Sequence, residues 1–140
     1  MLVKIVENDK ELKQVFAIRI QVFVDEQKIP VEAELDKYED ACKHVLVFYK
    51  QKPVGTGRLR IVEGMAKLER ICVLADYRKY GVGRLVVQKL EELAHGDGYS
   101  KCKLHGQTHA EKFYTNLGYE VCPDIFMEDG IPHKIFLKEI

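Results

Sequence analysis

The chain has 140 residues, 46% of them apolar and 31% charged, which suits a single globular domain over residues 1–140 and excludes a low-complexity or fibrous chain. Lys plus Arg and Asp plus Glu number 22 each, and the resulting zero net charge argues against bulk nucleic-acid binding, which draws on a basic excess. No apolar run reaches membrane-spanning length, and "MLVKIVENDK" lacks the apolar segment and cleavage site of a signal peptide, so a cytoplasmic protein without membrane attachment is expected.

Taken in chain order, the pattern alternates strand and helix. "MLVKIV" alternates and predicts a first strand. Asn8 and Glu11 resemble a capping pair, and Leu12, Val15, Phe16, Arg19, Ile20 and Phe23 follow at helical spacing. Pro30 ends that region, and "VEAELDKYED" reads as an acidic loop. "HVLVFYK", "KPVGTGRLRIVEG" and "MAKLERICVL" are β-branched and aromatic, punctuated by "QKP" and Gly64, which predicts an antiparallel meander. "VGRLVVQKLEELAHGDG" places Val82, Leu85, Val86, Leu90 and Leu93 on one helical stripe, stopped by Gly96 and Gly98. "KCKLHGQ" is a short strand. "THAEKFYTNLG" predicts a helix with Thr108 and Glu111 as a capping box and Gly118 as its stop. "YEVC" and "HKIFLKEI" are two further strands. The sum is a mixed α/β fold with a strand–turn–helix–strand crossover at its centre. Cys42, Cys72, Cys102 and Cys122 form no CxxC pair, so neither zinc nor redox chemistry is indicated, and Cys72 and Cys102 read as small core residues.

"RKYGVG", residues 78–83, sits where a strand gives way to a helix. The first amides of a helix lack intrahelical acceptors and its dipole favours an anion, so the stretch is open to two readings: a tight turn, or a cradle for phosphate. It fails the dinucleotide fingerprint, because Val86 stands at the third small position. It also fails the P-loop, because Gly83-Arg84-Leu85 replaces Gly-Lys-Ser/Thr.

A further match separates the readings. Arg78-Lys79-Tyr80-Gly81-Val82-Gly83 resembles the R/Q-x-x-G-x-G/A pyrophosphate loop of the GNAT superfamily of N-acyltransferases, and "AEKFYTNLGYEV" is similar to that family's A-x-x-x-Y-x-x-x-G-F/Y element. "RIQVFVDEQKIPVEAELDKYED" and "MEDGIPHKIFLKE" resemble a bacterial branch of small GNAT proteins. The resemblance implies the GNAT fold, a central mixed, mostly antiparallel twisted sheet flanked by helices. It implies acetyl-CoA as cosubstrate and direct transfer to the amine of a small molecule or protein, by a monomer or homodimer. It places Arg78, Lys79, Tyr80, Gly81, Val82, Gly83 and Arg84 at the pyrophosphate, Ile71, Cys72 and Val73 along the pantetheine arm, and Tyr114 as the acid for the leaving thiolate. Gln107 stands where many relatives carry Asn against that arm.

The residues themselves leave alternatives. Tyr114 on an apolar helical face is also a plain core aromatic. Glu69 is a candidate base, with Lys67, Glu69, Ile71 and Val73 alternating onto one face, or an ion-pair partner of Arg58, Arg60 or Arg70. His109 and His133 are secondary candidates for the base. Glu26, Glu34 and Asp36 belong to an acidic cluster that is either a rim for a cationic amine or a solvated loop. His105 and His109 straddle Gly106 without a third ligand, so no metal is expected. Cys72 is opposite Glu69 by alternation and reads as a packed thiol. Two other functions carry some of the same features: a CoA-binding module without turnover, and an enzyme like the acyl-homoserine-lactone synthases, from "RIQVFVDE".

Overall fold

A computed structural model describes residues 1–140. Leu2–Ile5 is β1, and Asp9–Arg19 is α1. The predicted cap is present at α1: the Glu11 amide donates to Asn8 Oδ1 at 2.8 Å, and Glu11 Oε1 accepts from the Glu7 amide at 2.8 Å. The helix does not simply run on through Phe23. Ile20–Glu26 widens into a π-helical coil, and Lys28 then takes a left-handed φ of 64°. Val31–Glu34 forms the single turn α2 in the stretch expected to be loop.

The meander is found as β2 (Lys43–Tyr49), β3 (Lys52–Val62) and β4 (Met65–Val73). Its two turns, Lys50-Gln51 and Glu63-Gly64, have positive φ at both positions, the hairpin geometry whose twist matches the flanking strands. α3 (Val82–Gly96), β5 (Lys101–Gln107), α4 (Glu111–Asn116), β6 (Glu120–Glu128) and β7 (Ile131–Glu139) complete the chain. Thr108–Ala110 is a 3₁₀ turn and α4 has no side-chain cap, so the expected Thr108–Glu111 capping box does not form; Glu111 instead accepts from Lys134 Nζ at 2.8 Å.

The seven strands form one sheet in the order β1-β2-β3-β4-β5-β7-β6. Only β4 and β5 run parallel, joined by α3. Val82, Val86, Val87, Leu90 and Ala94 bury one side of α3 completely. They sit on Gly55 and Gly57 of β3, where a Cβ would come within 2.5 Å of Val82 and 2.6 Å of Val86, so these strand glycines are the floor that lets the helix approach. The intervening Thr56 and Arg58 point to the other face, toward α1 and α2. Cys72 and Cys102 are buried, as expected of small core residues.

Candidate functional site

Two irregularities at the centre of the sheet create the site. First, β4 and β5 pair only at Ala66–Cys102, Lys67–Lys103 and Leu68–Leu104. Beyond that point Glu69–Val73 and His105–Gln107 diverge, and the β4 edge facing β5 has no strand partner. Second, β4 carries a bulge. Thr56 pairs with Cys72 and Arg58 with Glu69, so Gly57 alone faces both Arg70 and Ile71, and Arg70 adopts φ 57°. A cleft of about 810 Å³ occupies the gap, bounded also by the π-helical coil and by the start of α3.

The bulge changes which residues share a face. Alternation placed Glu69 with Ile71 and Val73, opposite Cys72. In the structure Ile71 lies toward α3, its Cγ1 3.4 Å from where a Gly57 Cβ would sit, and Val73 Cγ2 approaches Gly83 on the same side. Glu69 bonds Arg58 and so belongs with Thr56, Arg58 and Cys72 on the opposite face. The extra residue at Arg70 has reversed the expectation.

At the cleft mouth, α3 begins with Gly81 in the left-handed conformation, φ 75°, and no side chain caps the helix. The Gly81 carbonyl accepts the Leu85 amide at 3.2 Å, while the amides of Gly81, Val82, Gly83 and Arg84 find no acceptor within the chain. Gly81, Gly83, Arg78 and Arg84 line the cleft. The other side chains of the predicted loop go elsewhere. Val82 is fully buried under α3, and the exposed Tyr80 stacks on Tyr49 with ring centroids 5.4 Å apart, so Lys79, Tyr80 and Val82 do not line the cleft. Arg78 is anchored at both ends: Nε donates to the Val73 carbonyl at 3.0 Å, and its terminal nitrogens grip the Glu26 carboxylate at 2.7 and 2.6 Å.

Inside the cleft, Tyr114 is 8% exposed and packs against Phe113, Tyr119 and Phe136. Gly106 makes room for it, since a Cβ there would stand 2.9 Å from Tyr114 Cε2. The hydroxyl has no hydrogen-bond partner in the chain, and burial, with the nearby Cys72, raises its pKa, so it stays a protonated phenol. Burial likewise pushes the Cys72 thiol far up and leaves it a poor nucleophile. Gln107 lines the cleft and donates to Gln27 Oε1 at 2.9 Å, joining β5 to the end of the π-helical coil; its own Oε1 lies 2.6 Å from His109 Nε2.

Within the acidic stretch Glu32 and Asp40 are exposed, but Glu34, Asp36 and Glu39 are neither a free rim nor solvated. Glu34 is 3% exposed and pairs with Arg19 and Arg70. Asp36 binds Arg58 Nη2 at 2.7 Å, and Glu39 bridges Arg19 at 2.7 Å and Arg58 at 3.0 Å. Glu26 is taken by Arg78. The carboxylates expected to attract an amine are therefore already neutralised by arginines, and the rim reading is corrected. Glu69 completes this network, accepting from Arg58 Nη2 at 2.9 Å, Arg60 Nε at 2.9 Å and Lys67 Nζ at 3.0 Å. Burial alone would raise its carboxyl, but the bonds from Arg60 and Lys67 and the charge of Arg58 outweigh it and hold the pKa down at about 2. Such a carboxylate is a weak proton acceptor, so the ion-pair alternative for Glu69 is the arrangement found, with Arg58 and Arg60 as partners and Arg70 turned to Glu34 and Asp36.

This network predicts an acid-sensitive fold. Glu34, raised by burial, is the one member of opposite sign, while Glu69, Asp36 and Glu39 have folded pKa values below their ordinary ones. Their contribution is therefore full above the unfolded value of about 4.5 and is lost as pH falls toward the folded values. The melting temperature should hold from neutral pH to about pH 5 and then drop steeply toward about pH 3. A flat profile over that range would show that the network contributes nothing.

A third charged group stands on the β5–β6–β7 side of the cleft. His105 Nδ1 lies 3.0 Å from Glu128 Oε1, and His133 Nε2 lies 3.6 Å from Glu128 Oε2 while its Nδ1 faces the Ile131 carbonyl at 2.7 Å. His133 was foreseen as a candidate; the pairing of His105 with Glu128 was not, because nothing local in "KCKLHGQ" announces a partner 23 residues away. No cluster of side chains suited to a metal ion is present, and no helix is long and apolar enough to cross a membrane.

Comparison with known proteins adds a lineage to this geometry. A family model described as an acetyltransferase (GNAT) domain matches residues 7–139. An uncharacterized Bacillus subtilis protein, YyaT, is 46% identical, the match covering 100% of this chain and 97% of the relative. The uncharacterized N-acetyltransferase YjcF, also of B. subtilis, is 43% identical over 96% of this chain and 97% of its own length. Among solved structures, an acyl-CoA N-acyltransferase from Pseudomonas aeruginosa superimposes with a TM-score of 0.87 at 22% identity, covering 99% of both chains, which is a likeness of fold.

Proposed function

Since the chain belongs to the GNAT acetyltransferase family and is an N-acetyltransferase, we propose that it moves an acetyl group from acetyl-CoA directly to a primary amine. The observation that carries this reading is the run of amides without acceptors at Gly81–Arg84, opening onto a cleft floored by the unpaired edge of β4. A pyrophosphate is the anion such a helix start accommodates, with Arg84 adding positive charge and Arg78 held beside it by Glu26. The β5-facing edge of Ile71–Val73, free of a strand partner though its Val73 carbonyl accepts from Arg78, suits an extended amide-bearing arm, which would lie there like an added strand. Gln107 lines the same cleft, and its amide would exchange its bonds to Gln27 and His109 for the arm.

Within that frame each residue has a task. The Tyr114 hydroxyl, facing the cleft without an internal partner, donates its proton to the departing sulfur. The family resemblance assigns the Val73 amide as donor to the acyl oxygen as it gathers charge. Cys72, buried and held as a thiol, takes no part as a carrier, which favours transfer without an acetylated enzyme. The acceptors to be screened are small amines, polyamines, aminosugars and protein N-termini.

Gly83 supplies the test of the loop. A Cβ there would lie 3.1 Å from Phe113 Cζ, and an aspartate would set its charge among the free amides. Gly83→Asp should weaken acetyl-CoA binding by at least about tenfold in a calorimetric titration, since it opposes an anion at the helix start. Unchanged affinity would remove Gly81–Arg84 from the binding site.

A further inference from the structure

Resting on the transfer reading above, we propose that His105, oriented by Glu128, is the group that takes the proton from the acceptor amine. Of the ionisable groups lining the cleft, Asp129 is an exposed residue of the β6–β7 turn, and the others narrow to this pair. Glu26, Glu34 and Glu69 are each committed to arginines. Cys72 and Tyr114 are held protonated by burial. His109 is exposed and hydrogen-bonded to Gln107. His133 is buried, with Nδ1 committed to the Ile131 carbonyl and Nε2 turned toward Glu128.

His105 differs from all of these. It is the first β5 residue past the point where β4 and β5 separate. It lines both the main cleft and the smaller polar hollow of about 240 Å³ beside it. The 3.0 Å contact assigns Nδ1–H as donor to Glu128 Oε1, which leaves Nε2 as the lone-pair nitrogen, with no partner in the chain. Phe126 packs edge-on against the ring at 5.1 Å and fixes its plane. Alternation along β5 puts His105 on the face opposite Gly106, and Tyr114 packs over Gly106. The base and the acid therefore reach the one cleft that both line from opposite faces of the divergent strands.

The surrounding charges allow the task. From β4, Lys67 and Glu69 pair with each other and Arg70 pairs with Glu34 and Asp36. From the β6–β7 hairpin come Glu128, Asp129 and His133. Hydrogen bonding from His105 holds Glu128 below the ordinary carboxyl range, so it is ionised and stabilises an imidazolium. As the nitrogen–carbon bond forms, Nε2 receives the amine proton. As the carbon–sulfur bond breaks, its electron pair leaves on sulfur and Tyr114 supplies the proton. Water then carries the proton from His105 back to the Tyr114 phenolate, and the enzyme is restored.

The experiment uses spermidine, glucosamine and a peptide with N-terminal alanine as acceptors, with thiol release from acetyl-CoA as readout. His105→Ala should lower kcat by about 100-fold or more, the usual scale for loss of a positioned base, with acetyl-CoA affinity unchanged and partial rescue by added imidazole. Glu128→Gln should give a smaller loss and move the acid limb of kcat/KM to lower pH, because the imidazolium loses its counter-charge. Nitrogen-15 NMR of the free protein should show the His105 proton on Nδ1. Full kcat in His105→Ala, or a proton fixed on Nε2, would overturn the assignment while leaving the transfer reading intact. No release from the unaltered protein with any of the three amines would overturn both.

Discussion

Arg58→Ala is expected to cost about 3–5 kcal/mol of stability, the scale for removing one partner of a buried ion pair and leaving the other charges uncompensated. Arg58 is 1% exposed and binds Asp36, Glu39 and Glu69 at once. Without it Asp36 keeps the Tyr38 amide at 3.0 Å and, as its one cation, Arg70 at 3.4 Å. For a chain of this size the loss corresponds to a fall in melting temperature on the order of 10–20 °C. Arg60→Ala is the control. Arg60 is partly exposed and shares Glu69 with Arg58 and Lys67, so its loss should cost about 1 kcal/mol or less. A stability loss below about 1 kcal/mol in Arg58→Ala would mean that α2 and the loop after it are not held by this network.

Tyr114→Phe should separate catalysis from structure more cleanly. The ring contacts to Phe113, Tyr119 and Phe136 survive the change, and the hydroxyl has no internal partner to lose. Stability and acetyl-CoA affinity should therefore be nearly unchanged. Turnover should fall by about 100-fold or more, the scale for a positioned acid. A variant with full kcat would return Tyr114 to the role of a core aromatic.

The order of elements, the parallel crossover and the glycine turn at Arg78–Gly83 were legible in the sequence because each rests on local chemistry: periodicity, breaker residues and glycines. What was not legible rests on tertiary packing. The bulge in β4 sits at Arg70, a residue with no preference for positive φ, so counting by alternation ran straight through it and put Glu69 on the wrong face. The π-helical coil after Arg19 has the same apolar spacing as an ordinary helix end. Arg19 itself held a clue, since it falls on the buried stripe of α1, where a charge demands a partner. That partner lies in the acidic stretch after Pro30, and the surplus of carboxylates there is answered by Arg19, Arg58 and Arg70 from three separate elements. The same blindness to distant pairs hid His105 and Glu128, which meet only because β7 lies between β5 and β6.

Amine-dependent thiol release from acetyl-CoA, followed with mass spectrometry of the acceptor, tests the central claim most directly. Acetyl transfer through this cleft predicts thiol and N-acetylated amine in equal amounts, formed only when both substrates are present. Tight acetyl-CoA binding with no release above spontaneous hydrolysis for small amines, polyamines, aminosugars and peptide N-termini alike would contradict it.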